Sequence, residues 1–80
     1  MTDAQVASLV KAFLQRGVVP DDAQCMALIK RFKPTLKFND LASEPRWEAW
    51  ICINVRGFGE ELNRAVVECV TTMQQAKERE

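Results

Sequence analysis

From Gly59 to Glu80 the chain reads GEELNRAVVECVTTMQQAKERE, and Leu62, Val66, Cys69, Val70, Met73 and Ala76 recur at steps of three and four. Apolar residues at that spacing line one face of an α-helix, and they predict a helix over 60–77. Glu60 and Glu61 stand at its start, where the positive end of the helix dipole favours negative charge. Beyond Met73 the residues Gln74, Gln75, Lys77, Glu78 and Arg79 carry the helix into water, and the last few residues are expected to fray. The stripe needs a surface to lie against: the rest of the chain, a second copy, or a partner.

Two shorter helices come first. Val6, Leu9, Val10, Phe13 and Leu14 form the apolar stripe of a helix over 3–16. Thr2 and Gln5 have the spacing of a capping box, and Arg16 then Gly17 supply a last-turn cation and a stop. Cys25, Leu28, Ile29 and Phe32 form the stripe of a helix over 22–33. Asp21 and Gln24 repeat the capping-box spacing at its start, and Pro34 ends it, because the residue before proline avoids helical geometry. The short link Val18-Val19-Pro20 makes the pair an antiparallel αα-hairpin.

The middle of the chain supports two readings. Ser43 is a good cap, Pro45 suits a first helical turn, and Trp47, Trp50, Ile51, Asn54, Val55 and Phe58 follow helical spacing. These features predict a third helix over 44–56, with Leu41 packing ahead of it and Gly57-Phe58-Gly59 as the turn into the last helix. The expected fold is therefore an all-α compact bundle of four helices, at 3–16, 22–33, 44–56 and 60–77. The rival rests on Trp50-Ile51-Cys52-Ile53-Asn54-Val55, which is rich in β-branched residues and alternates. In that reading 50–55 pairs with 35–39, where Leu36 and Phe38 alternate with polar neighbours, and a small β-ribbon makes the fold α+β. The cap, the early proline and the tryptophan spacing agree with one another, which favours the helix.

Eighty residues make a single small globular domain, 1–80, near the lower limit for burying a self-sufficient core. Oligomerisation is a common supplement at this size. Cys25, Cys52 and Cys69 are an odd number, far apart and on or beside apolar stripes, a pattern that reads as reduced thiols. Eleven basic and eleven acidic residues cancel, which gives little attraction toward nucleic acid or anionic lipid. There is no signal-peptide pattern at the N-terminus and no apolar run long enough to span a membrane, so the expected location is the cytoplasm.

Chemistry is poorly served. The chain has no histidine and no tyrosine, which removes the commonest general base and metal ligand. No cysteine has a neighbouring base, and no metal-ligand spacing exists. An enzyme is not expected, nor is a cofactor or metal. The one basic cluster, Lys30, Arg31, Lys33 and Lys37 with Phe32 and Phe38 interleaved, offers a nucleic-acid contact, but a cationic helix end beside two core phenylalanines explains it as well. Trp47 and Trp50, with Arg46, Phe58 and Met73, are the candidates for a protein-binding surface, since exposed indoles anchor interfaces. Leu62, Val66, Cys69 and Met73 keep the 4-3-4 spacing of a helix-pairing seam, through which a homodimer would form. The sequence thus reads as a small protein-binding regulator or inhibitor, of the kind encoded by phages or plasmids, that occludes or scaffolds a partner through a helical surface. The alternatives are a nucleic-acid-binding regulator and an accessory subunit of a larger complex.

Overall fold

The computed structural model describes residues 1–40, 46–52 and 55–78. Its elements run α1 (Asp3–Arg16), α2 (Asp22–Phe32), β1 (Thr35–Asn39), β2 (Arg46–Cys52), β3 (Val55–Gly59) and α3 (Leu62–Glu78). The strands form an antiparallel meander in the order β1-β2-β3. This is an α+β fold, and it overturns the all-α, four-helix bundle expected above.

The helices begin and end where local chemistry sets them. Thr2 and Gln5 cap α1 reciprocally: the Gln5 N–H donates to Thr2 Oγ1 at 3.2 Å, and the Thr2 N–H donates to Gln5 Oε1 at 2.8 Å. Asp21 and Gln24 repeat the exchange for α2 at 2.8 and 3.0 Å. Gly17 closes α1 in the left-handed region, where a glycine carries no steric penalty.

Helix α3 is the centre of the molecule. One side of it lies on β3 and β2, and it also receives α1 and α2. Ala65, Val66, Val67, Cys69 and Val70 are buried as a result, and with Val6, Val10, Leu28, Ala49 and Val55 they make the core. Each fully buried valine or leucine contributes about 1.5–3 kcal/mol by leaving water. Asn63 fastens the start of α3 to the α1–α2 link, its Nδ2 donating to the Pro20 carbonyl at 2.9 Å and to Asp22 Oδ1 at 3.1 Å.

The predicted third helix is two strands. β1 is extended as the rival reading expected, but its partner is 46–50 and not 50–55: Thr35 stands opposite Trp50, Phe38 opposite Trp47 and Asn39 opposite Arg46, so Trp50 alone of 50–55 faces β1. The partner strand begins at Arg46, and a third strand occupies 55–59, where the end of the helix and the Gly57-Phe58-Gly59 turn were expected. The expected Ser43 cap, Pro45, the Leu41 contact and Asn54 lie outside the described residues. The reason for the change is Ala49. As the middle of a strand it is fully buried under α3, on the same face as Trp47 of β2 and its neighbours Leu36 and Gly57 across the sheet. Period two places a small residue where the helix needs room, and helical spacing does not.

Candidate functional site

The meander has two unlike faces. Leu36, Phe38, Trp47, Ala49, Gly57 and Gly59 share the face toward α3. Thr35, Lys37, Asn39, Arg46, Glu48, Trp50, Arg56 and Phe58 share the other. Ala49 and Gly57 are buried, whereas Lys37, Arg46, Arg56 and Phe58 are exposed and Trp50 is half-buried. The outer face therefore presents Trp50 and Phe58 diagonally across β2 and β3, around an ion pair of Arg56 Nη1 with Glu48 Oε1 at 3.5 Å. Such an exposed pair adds little stability, but it holds a cation and a carboxylate beside two aromatic rings.

The sequence-predicted residues are accordingly divided. Arg46, Trp50 and Phe58 meet on the outer face. Trp47 does not join them, because residues three apart lie on one side of a helix but on opposite sides of a strand. It turns toward the helix side and meets Phe38, ring centroids 5.1 Å apart and planes tilted by 52°. That tilted geometry suits the ring quadrupoles, yet Phe38 keeps 47% of its surface in water. Met73 sits half-buried on α3 against the core.

Where the sheet meets the start of α3, the outer face continues into an open cleft of about 540 Å³. Arg46 and Phe58 form one wall, and Glu60, Glu61, Arg64 and Val19 the others. Arg64 also lies over the ring of Phe13, its Cζ 5.7 Å from the centroid. The cleft holds two cations and two carboxylates, so it favours neither sign strongly.

The basic cluster is partly committed elsewhere. Arg31 pairs with Asp3 and donates to the Met1 carbonyl, which ties α2 to the start of α1. Lys30 and Lys33 remain exposed at the end of α2, and Lys37 belongs to the outer sheet face opposite Glu48. In the proposed helix seam, Val66 and Cys69 are fully buried within the chain, so intramolecular packing takes up these side chains.

The two buried thiols, Cys25 and Cys69, are poor nucleophiles. Burial, reinforced by the charge of Asp22, raises the Cys25 pKa. Burial also pushes Cys69 up to about 11, a rise that the backbone of Ile51 offsets in part and Cys52 adds to. The Cys69 Sγ donates to the Val55 carbonyl at 3.6 Å. Among the described residues no group of three His, Cys, Asp or Glu side chains is placed to hold a metal, and no helix is long and apolar enough to cross a membrane. The buried hydroxyl of Thr71 has no partner among the described residues and does not line the cleft.

Against known proteins the chain stands apart: no family model, curated protein or solved structure matches it. The outer face escaped sequence reasoning because Trp47 and Trp50 were placed on one helix. The signal that would have found it is Gly57-x-Gly59, two glycines at strand period. A Cβ on Gly57 would stand 2.2 Å from the Ala65 carbonyl oxygen, and one on Gly59 2.9 Å from Arg64 Cβ. Helix α3 presses on β3 at these two positions, and that contact turns Phe58 outward.

Proposed function

We propose that this protein is a non-enzymatic binding module that regulates a partner protein by occluding or scaffolding it. Its binding surface is the outer face of the sheet, with Trp50 and Phe58 as anchors and Arg46, Arg56 and Glu48 as the polar surround. The observation that carries the reading is a sheet face that no described element covers, with Phe58 40% exposed at its edge and continuous with the charged cleft. Aromatic residues and arginine are enriched at protein interfaces, and the mixed signs on this surface suit a protein better than a uniformly charged polymer. The surface belongs to a sheet, in place of the helical one expected from the sequence. A core that closes around α3 supports a module that folds by itself more than an accessory subunit.

The test is capture from a lysate of the natural host by the tagged chain and by its Phe58→Ser and Trp50→Ser variants, each compared with and without nuclease. A protein retained by the parent and lost by both variants, at unchanged thermal midpoints, is the expected result. Equal retention by all three chains would remove the outer face from consideration. Capture that disappears with nuclease would transfer the reading to a nucleic acid held by Lys37, Arg46 and Arg56, with Lys30 and Lys33 beside them.

A further inference from the structure

The two edges of the sheet differ in what their backbones meet. In an antiparallel meander, successive residues of an edge strand point their N–H and C=O groups alternately inward and outward. On β3 the outward residues are Arg56 and Phe58, and α3 reaches one backbone group of each. The Phe58 N–H donates to Glu68 Oε1 at 3.4 Å, and the Thr72 hydroxyl reaches the Arg56 carbonyl at 3.5 Å. The same alternation, carried across β2, makes Leu36 and Phe38 the outward residues of β1. Neither has a backbone partner beyond the sheet among the described residues.

An open edge with a half-exposed aromatic beside it is a template for another strand. We propose that its occupant is β1 of a second copy, paired antiparallel about a two-fold axis at Phe38, so that two meanders join into one six-stranded sheet. The choice of a second copy rests on self-complementarity. Two-fold axes on the three central residues of β1 each place outward groups against outward groups. An axis at Lys37 sets Lys37 against its own copy, like charge on like charge. An axis at Leu36 sets Phe38 against Pro34, which has no N–H to give. The axis at Phe38 sets Lys37 against Asn39 and Leu36 against Asp40, with neither defect. It also brings together two Phe38–Trp47 pairs, four rings, and removes from water the apolar side chain most exposed along the strand.

The lysine in mid-strand is a common guard against edge pairing. Here its side chain lies on the outer face opposite Glu48, and a neighbouring β1 meets a pair of opposite charges. A strand of five residues makes a small interface, at the low end of the range below about 1,200 Å². The dimer is therefore weak and concentration-dependent, and it leaves the outer faces of both copies open, independent of the binding role proposed above.

Sedimentation equilibrium of the full chain from about 10 μM to about 1 mM tests the proposal, spanning the affinities such an interface supports. The expected mass rises from one chain toward two and stops there. Phe38→Arg, which places like charges on the axis, should weaken association by about tenfold or more at unchanged circular dichroism. Phe38→Thr, a good strand former, serves if the arginine variant does not fold. The register is read in a Cys52→Ser background, where Cys25 and Cys69 are buried. A mixture of Lys37→Cys and Asn39→Cys chains should cross-link on oxidation, and Lys37→Cys alone should not. A chain that stays monomeric at about 1 mM, a dimer indifferent to residue 38, or cross-linking by Lys37→Cys alone would each overturn it. The first of these would leave the edge to a foreign strand.

Discussion

Strands β1 and β3 are five residues each and flank the same central strand, yet they do opposite work. β3 lies under α3. Its helix-side positions are Val55, Gly57 and Gly59, so stripped of side chain that helix and strand nearly touch, and its outer edge is answered by Glu68 and Thr72. β1 is held chiefly by β2, carries Leu36 and Phe38 on its helix side, and leaves Phe38 half in water. The difference locates stability on one side of the meander and availability on the other. A strand that must support the central helix cannot also offer its edge, and a strand that offers its edge contributes less to the core.

The most severe way to challenge that division is to fill the contact under α3. Gly57→Ala puts a methyl 2.2 Å from the Ala65 carbonyl oxygen and 2.4 Å from the Cys69 N. Both are backbone atoms, so relief requires moving the helix. Urea unfolding should show a loss of about 3 kcal/mol, while Phe38→Ala on β1 should lose less than about 1.5 kcal/mol because half its ring is already solvated. Equal losses from the two strands would break the comparison.

Cys69 reports on the same contact through pH. Its pKa is raised by burial beneath β3 from the ordinary thiol value of 9.0 to about 11 in the folded chain. The folded state therefore holds the thiol proton more tightly. The resulting stability is complete below about pH 9, falls as the unfolded chain releases its proton, and is lost through about pH 11, a change of about 2–3 kcal/mol. Lysines titrate in the same range, so the informative quantity is the gap between the parent and Cys69→Ala. That gap should be widest near neutrality and narrow by this amount between pH 9 and 11. A constant gap would mean that the thiol does not feel the β3–α3 contact.

The sequence was legible where structure is local and partly opaque where it depends on what lies opposite. Both capping boxes, the stop at Gly17 and the buried stripe of α3 follow from chemistry within a few residues. The strands β2 and β3 do not, because Trp47 and Trp50 satisfy a helical period as well as a strand that sends the two rings to opposite faces, each half-buried. What decides is the narrow space under α3, which accepts Ala49 and Gly57 and nothing larger. That space is a property of the assembled molecule. The outer face was hidden for the same reason: Trp50 and Phe58 are eight residues apart in sequence, and antiparallel pairing alone makes them neighbours. The seam residues Val66 and Cys69 were recognised as apolar, but an apolar helical face looks the same whether it waits for a second chain or for its own sheet.

The subtlest challenge is to make the two edges alike. Glu68→Ala with Thr72→Val removes both side chains that α3 extends over the edge of β3. Both contacts are long, at 3.4 and 3.5 Å, and the single Thr72 hydroxyl proton is drawn to the nearer Glu68 carbonyl at 2.9 Å. The cost in stability should therefore be no more than about 1 kcal/mol. The effect on assembly should be larger in kind. A sheet with one open edge closes at two copies, whereas a sheet with two open edges has no reason to stop. Light scattering of the double variant should show species beyond the dimer at concentrations where the parent shows none. Adding Phe38→Arg should return it to small species by closing the β1 edge. If the double variant assembles no further than the parent, the bulk of α3, and not its two polar side chains, is what keeps β3 from pairing.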